Sequence, residues 1–293
     1  MSAIYEYFGI SRQAHHQQQQ REHQRQGINQ QLLVDVIAAR LEHPRMGARK
    51  LFHLLGVDQM GINAFETMVV SAGLRLPVQR SFIRTTIRGE DGLPLSNLVQ
   101  GLRLNDINQL WVSDISYLID AGSVYYLAHI MDVYSRRLLA IGISRSMRAE
   151  QNLRLLHQSF HARGTQSFSG LIHHSDAGAQ YTSREYRATL QTAGIDISIA
   201  QTCLQNAYSE RLNGTLKNEY LFTFANRGLD LSGWQHHSEQ TGHRYNYQRP
   251  HKELGYRTPV AFEQHIASIP LNQRPVLDLH DFNRDARTTS PTT

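Results

Sequence analysis

The sequence predicts an α/β protein in which a mixed five-stranded sheet with flanking helices follows an all-α unit. Two observations predict this division. Apolar residues between positions 29 and 76 recur at spacings of three and four, which is typical of helices, whereas the pattern after residue 105 is extended. The length of 293 residues also exceeds that of one ordinary domain, so more than one folding unit is expected.

The N-terminal part is predicted to contain a polar arm, residues 1 to 28, and a helical unit, residues 29 to 76. The arm is glutamine-rich and typical of a solvated helix or a loose segment, so no chemistry is assigned to it. The unit is predicted to be a helix-turn-helix DNA-binding domain, and a small three-helix bundle of another kind stays an alternative. Its helices are expected from Asn29 to before Pro44, from Gly47 to Leu55 and from Asn63 to Ala72.

The sheet is predicted between residues 106 and 225, after a basic linker that spans residues 77 to 105. Its strands are expected at Gln109 to Ile119, Val124 to Met131, Leu138 to Ser144, Leu171 to His174 and Asp196 to Ala200. Helices are expected at Arg148 to Ala162, Ser183 to Ala193 and Asn206 to Leu221. Three antiparallel strands followed by alternating helices and strands are the element order of RNase H-like folds. Residues 226 to 293 are predicted to be a C-terminal helical region and tail.

Composition excludes several classes of protein. No run of about 18 apolar residues and no signal peptide is visible, so we expect a cytoplasmic, nucleoid-associated protein without membrane contact. A single cysteine, Cys203, excludes an internal disulfide framework and a cysteine-rich zinc site. The net charge of +5 makes nucleic acid a plausible partner, and arginine greatly outnumbers lysine, which suits phosphate contacts.

Three acidic residues stand where surface carboxylates are not expected. Asp114 lies inside an apolar strand, Asp176 directly follows the fourth strand, and Glu210 lies in the first turns of the last helix of the sheet domain. These positions can converge in the predicted fold. Two divalent cations need such carboxylate oxygens, so the three acids predict a two-metal phosphoryl-transfer site. Taken singly, each acid has an ordinary explanation in an ion pair, a turn or a helix terminus.

Five segments, in order, resemble the signature segments of one family. The segments are WVSDISYL, IMDVYSRRLLAIGIS, HHSDAGAQYTSREYRATL, NAYSERLNGTLKNEYL and YNYQRPHKELGYRTPVAFE. They are similar to segments of the integrase-like transposases of the insertion-sequence-three family, specifically of the product of their second reading frame. The resemblance covers roughly residues 29 to 265. One departure is that the segment between Asp176 and Glu210 is two residues shorter than is common in the family, for which we expect a shortened loop before Asn206.

The resemblance implies a DDE active site in a catalytic core at residues 106 to 225, with Asp114, Asp176 and Glu210 as catalytic metal ligands. It implies two Mg²⁺ ions, which Mn²⁺ can replace, and copy-out, paste-in transposition of an insertion sequence. The implied partners are the terminal inverted repeats, target DNA, further copies of the chain and a protein from an upstream reading frame. Two alternatives stay open: a non-catalytic helix-turn-helix regulator, and an RNase H-like nuclease.

Further residues are candidates for DNA contact, each with an alternative. Lys217 lies two helical turns after Glu210 and is otherwise a solvated helix lysine; Asn206 is otherwise a helix cap. For Arg249, His251 and Lys252, contact with DNA and contact with the core are both open.

Four other residues near the site carry structural expectations. One of His173 and His174 is expected to face the core and the other the cleft. Asp132 is a rival catalytic carboxylate, with an ion pair to Arg136 or Arg137 as the favoured alternative. Glu219 points opposite to Glu210 on an ideal helix and is expected to be a surface acid.

Overall fold

The computed structural model describes residues 11–77, 97–200, 206–223 and 228–279. The chain divides into two compact units, residues 1–78 and 79–293. The predicted tail beyond residue 279, most of the basic linker and the shortened loop before Asn206 lie outside the described residues.

The N-terminal unit contains α1 (Arg12–Glu42), α2 (Ala48–Leu54) and α3 (Ile62–Ser71). Buried apolar side chains from all three helices form its core, among them Val36, Leu51 and Phe65. The three predicted helices are present, but the first runs without a break through the predicted polar arm. The boundary at residue 28 therefore does not separate two elements, because polar helix formers such as glutamine extend a helix that apolar contacts anchor further along.

The second unit is built on a five-stranded sheet. Its strands are β2 (Leu110–Asp120), β3 (Ser123–Asp132), β4 (Leu138–Ser144), β5 (Ile172–Ser175) and β6 (Asp196–Ile199). A separate two-stranded sheet pairs β1 (Arg103–Leu104) with β7 (Leu277–Asp278). The strand order of the large sheet is β4-β3-β2-β5-β6, in which β2, β3 and β4 pair antiparallel and β2, β5 and β6 pair parallel. The predicted RNase H-like sheet is confirmed.

Helices cover both faces of this sheet. One face packs against α4 (Ala149–Arg163), α5 (Ala179–Thr182) and α6 (Arg184–Thr192). The other packs against α7 (Ala207–Thr215), a π-helix (Leu216–Leu221) that continues it, α8 (Leu231–Tyr247) and α9 (Pro259–Ala267). Short 3₁₀ turns occur at Lys252–Leu254 and Leu271–Gln273. None of the described helices is long and apolar enough to cross a membrane.

The C-terminal helices belong to the core of the sheet unit. Trp234 and Phe262 lie in the same buried cluster as Val112 and Leu118 of β2. The structure joins residues on both sides of position 225 in one core. In the described part of the chain, α7, the π-helix, α8 and α9 cover this face of the sheet, and an apolar sheet face must be buried.

Candidate active site

Two acidic residues meet where neighbouring parallel strands run side by side. In the register of β2 and β5, Val112 lies opposite His174. Asp114 and Asp176 each follow two residues later along their strands, so the two carboxylates leave the sheet at the same level. Parallel strands open their carboxyl ends toward one edge, and this is where α/β sheets place their sites.

Glu210 reaches the same region from above the sheet. It lies in the first turn of α7, and this helix packs on the face of β2 that carries Asp114. Its negative charge contributes to raising the pKa of Asp114. Within the described ranges, however, no three Asp, Glu, His or Cys side chains are grouped closely enough to hold a metal ion. The structure thus brings the three predicted acids into one region without placing them at ligand distances.

Asp114 is the most perturbed carboxyl of this region. Burial, and next the charge of Asp176, raise its pKa to about 7, while the Ile115 backbone N–H and Lys217 act in the opposite direction. Burial also raises the pKa of Asp176, whose Oδ1 accepts a hydrogen bond of 3.1 Å from the Gly178 N–H. A strand carboxylate held among other carboxylates is a site for positive charge.

Lys217 provides one such charge. Burial lowers its pKa, and the negative charge of Asp114 partly offsets this effect. The lysine is half-buried and experiences the charge of Asp114, and its contact with DNA stays a prediction. It belongs to the π-helix, a helix type that occurs frequently at functional sites.

Hydrogen bonds fix α7 above β2 and β3. The Asn213 amide donates to Asp114 Oδ2 at 2.7 Å, and the Ser116 hydroxyl donates to Asn213 Oδ1 at 2.9 Å. Asn206 donates to the carbonyl oxygen of Ser113 at 3.1 Å and makes no side-chain cap of the helix. Asn206 occupies the N-cap position of α7 but uses its side chain on the strand that carries Asp114, and its part in the site stays a prediction.

One further contact ties α7 to the sheet next to Glu210. His129 lies opposite Asp114 in the register of β2 and β3, and its Nε2 is 3.3 Å from the Ser209 hydroxyl. Both side chains are buried, and burial, with Lys217 as a second cause, lowers the pKa of His129 to about 3. The imidazole is thus neutral at physiological pH.

Sequence reasoning missed these supporting residues. Ser116 and Asn213 carried a usable signal, because Ser116 shares a strand face with Asp114 and Asn213 lies one helical turn after Glu210. His129 and Ser209 carried only a weak one, as polar residues in otherwise apolar segments. Their contact joins residues 80 positions apart and depends on the packing of α7.

Several other expectations are corrected. His173 and His174 are both buried; His173 Nε2 is 3.0 Å from the Tyr186 hydroxyl, and His174 Nδ1 is 2.9 Å from the Ser198 hydroxyl. The expectation that one faces the cleft was therefore wrong. Each imidazole nitrogen named here has a nearby hydroxyl partner inside the sheet unit.

Asp132 forms an ion pair with neither Arg136 nor Arg137. It forms an ion pair of 2.9 Å with Arg163, and both side chains are almost fully buried. Its carboxylate also accepts hydrogen bonds from the Asn108 and Ser135 backbone N–H groups. Because this carboxylate is engaged in an ion pair and in backbone hydrogen bonds, its role is structural.

Glu219 is not a surface acid. It forms a two-pronged ion pair with Arg249, at 2.7 and 2.8 Å, and the Arg249 guanidinium also lies 3.1 Å from the His251 ring. Arg249 and His251 are buried, so the core contact left open by the sequence is present, while Lys252 is exposed. DNA contact by these three residues stays a prediction.

Comparison with known proteins gives two consecutive matches to the family described as integrase core domain, over residues 105–203 and 193–259. The insertion element IS600 uncharacterized 31 kDa protein of Shigella sonnei is 30% identical over 266 residues, which is 88% of this chain and 96% of the relative. The transposase for insertion sequence element IS629 of Shigella sonnei is 29% identical, over 78% of this chain and 77% of the relative.

Among solved structures, the HTLV-2 integrase catalytic core domain in complex with magnesium matches 57% of this chain and 99% of its own, with 17% identity and a TM-score of 0.43. The family assignment follows from the sequence matches, which reach from the N-terminal unit through the sheet unit. The chain belongs to the insertion-sequence transposases with a DDE integrase-like core.

Proposed function

We propose that this transposase cleaves DNA at the ends of an insertion sequence and joins the freed 3′ end to a second strand, with Asp114, Asp176 and Glu210 as its catalytic carboxylates. The observation that carries the proposal is the state of Asp114. This half-buried carboxyl experiences the charges of both other acids and needs a cation to be ionised at low cost.

The donor set fits hard divalent cations. Carboxylate oxygens are the ligands that Mg²⁺ prefers, and Mn²⁺ accepts the same donors. We infer two Mg²⁺ ions, held by Asp114, Asp176 and Glu210. When bound, such ions activate the attacking oxygen and stabilise the leaving 3′ oxygen.

The surrounding residues hold the acids and the substrate. Asn213 donates to Asp114 Oδ2, so it favours the ionised carboxylate and fixes its direction. Lys217 lies near Asp114 and is proposed to contact the phosphate that flanks the reacting bond, because its charge would offset that of the phosphodiester. Asn206, which supports the site through Ser113, is proposed to act with it.

The N-terminal unit is proposed to recognise the terminal inverted repeats through a helix-turn-helix. Two ends must be held together for joining, so we infer an oligomer of this chain, which acts with a protein from an upstream reading frame by a copy-out, paste-in route. Target DNA would enter beside the exposed Lys252 and the Arg249–His251 pair.

The test uses purified full-length protein and duplex oligonucleotides that carry the element ends, read from the DNA flanking the coding region. Asp114→Asn, Asp176→Asn and Glu210→Gln should each abolish Mg²⁺-dependent cleavage and strand joining. DNA affinity should stay within a few fold, because binding depends on phosphate contacts. Thermal stabilisation by Mg²⁺ should also be lost in these variants.

Glu185→Gln is the matched control, since Glu185 is an exposed acid in the first turn of α6. It should cleave and join like the parent. Glu219→Gln is unsuitable, because it would leave Arg249 buried without its partner. Parent-like joining by any of the three active-site variants would remove that residue from the site, and a parent that binds DNA without cutting it would identify a regulator.

A further inference from the structure

A groove runs between α1 and α3 of the N-terminal unit, with a volume of about 400 Å³. Its polar lining consists of Arg21, Gln24, Arg25, Asn29 and Gln59. Four of these residues lie on α1, and three of those four come from the polar arm to which the sequence assigned no chemistry. The arm therefore forms one wall of a concave surface.

The chemistry of this lining is that of an anion site. It offers two guanidinium groups and three amides, with Met60 and Met68 as apolar floor and no carboxylate among the lining residues. Arg21 and Arg25 are one helical turn apart, which separates them by about 6 Å along the helix. Glu22, the acid between them, receives a hydrogen bond from Gln18 and is not part of the lining.

Two other arginines of the same unit form hydrogen bonds or ion pairs with protein groups. Arg40 donates to the Leu74 carbonyl oxygen at 2.6 Å, and Arg49 forms an ion pair of 2.9 Å with Glu66. Arg21 and Arg25 make no hydrogen bond or ion pair with any residue that the structure describes. Their guanidinium groups are exposed at the groove and available to an anionic ligand.

We propose that this groove binds the phosphate backbone of duplex DNA, with Arg21 and Arg25 on neighbouring phosphates and the amides on sugar and phosphate oxygens. The inference rests on the proposed DNA binding of the N-terminal unit and assigns part of it to the polar arm. Two guanidiniums spaced along a groove edge match a ligand with regularly repeated charge. The turn before α3 supplies Gln59, so the same DNA would lie against the helix-turn-helix.

The first experiment measures affinity of the full-length protein for a short random-sequence duplex by fluorescence anisotropy over a series of salt concentrations. Arg21→Ala and Arg25→Ala should each weaken binding and reduce the slope of log affinity against log salt by about 0.9, as expected for one lost phosphate contact. Arg21→Lys and Arg25→Lys should keep most of the slope. Arg75→Ala is the control, because Arg75 is an exposed arginine of the same unit outside the groove.

The second experiment places a carboxylate in the groove. Ala64 is exposed on α3 and lines the groove, so Ala64→Glu should weaken DNA binding without changing the melting temperature. Ser71→Glu, on the same helix outside the groove, should leave both DNA binding and the melting temperature unchanged. An effect of Arg75→Ala equal to that of the groove variants would overturn the proposal by showing a net-charge effect. Competition by polyglutamate as strong as by DNA would also overturn it.

Two results separate this proposal from the proposed function. Groove variants that bind DNA with the parent's affinity and slope would refute the groove while leaving DNA binding by the protein intact. A parent that fails to bind duplex DNA at low salt would refute both.

Discussion

Asp114 has a destabilising effect on the metal-free fold. Its side chain is half-buried on a central strand, and its pKa of about 7 lies well above the value of about 3.9 for an unfolded aspartate. At this position the folded protein therefore binds more protons than the unfolded chain between these pH values. The contribution of Asp114 to the free energy of unfolding of the metal-free protein then falls as pH rises from about 4 to about 7.

Asp114→Asn should remove this cost. In EDTA at pH 8 we expect the variant to be more stable than the parent, by at most about 4 kcal/mol, because the amide carries no charge to bury. Thermal unfolding from pH 5 to pH 8 measures the effect, and Mg²⁺ should stabilise only the parent. Equal pH dependence of the two melting temperatures would contradict the raised pKa of Asp114.

The sequence indicated the three acids and, through Ser116 and Asn213, part of their surroundings, whereas contacts with distant elements could not be predicted. A charged residue in an apolar strand is visible as an exception to its neighbours, so Asp114 stood out. The partner of Glu219 did not stand out, because Arg249 lies 30 positions later in the chain and reaches Glu219 only through the packing of α8. Helical periodicity gives the direction of a side chain and carries no information about which other element arrives there.

At the level of elements, α7 is the part of the site that must be held in place. Its contacts reach three neighbouring points of the sheet, the Ser113 carbonyl, the Asp114 carboxylate and the His129 ring. The first turn of the helix carries Glu210, so the Ser209–His129 contact determines how that acid stands above β2. Loss of the contact should therefore affect chemistry more than DNA binding.

Ser209→Ala tests this role. We expect strand joining to fall severalfold and the free energy of unfolding to drop by about 1–3 kcal/mol, since a buried ring nitrogen of His129 loses its hydrogen-bond partner. Single-turnover joining rates over a range of Mg²⁺ concentrations, together with urea unfolding, measure both effects. Ser209→Thr, which keeps the hydroxyl, should restore part of the rate.

Ser159→Ala is the control for a serine lost from a buried helix face. The Ser159 hydroxyl bonds only to the Leu155 carbonyl oxygen of its own helix, α4, at 2.9 Å. Its removal should leave the joining rate unchanged. If Ser159→Ala and Ser209→Ala slow joining alike, the effect is one of general stability, and Ser209 has no positioning role.

The strands of the large sheet were predictable to within one residue at each end, because their apolar patterns follow from which face is buried. The large sheet shows this for β4, predicted and found at Leu138–Ser144. The π-helix after Thr215 was not predictable. A π-turn adds a residue without changing the apolar character of the segment, and it is stabilised by contacts with other elements.

At the scale of the whole molecule, the sheet unit includes everything from β1 to β7. Trp234 and Tyr245 of α8 and Phe262 of α9 fill the core on one face of the sheet. The predicted boundary at residue 225 misses this because α8 and α9 look like an ordinary amphipathic pair in the sequence. Nothing in their periodicity indicates which surface they cover.

Truncation tests whether the folded unit ends at residue 225 or includes the C-terminal helices. A fragment of residues 97–225 should fail to unfold cooperatively, because one face of the sheet would be exposed to water, whereas a fragment of residues 97–279 should melt in a single transition. Circular dichroism melts and binding of a hydrophobic dye measure this difference. A cooperative melt of the shorter fragment would show that the helices are accessory to the core.

The pairing of β1 with β7 has a consequence for synthesis on the ribosome. Arg103 and Asp278, which form an ion pair across this small sheet, are 175 residues apart. At about 5–20 residues per second, translation needs about 9–35 s to supply the second strand after the first. The N-terminal unit is compact by itself and can fold during that interval. With the DNA binding proposed for this unit, a nascent chain would be tethered near the gene that encodes it before the sheet unit is complete.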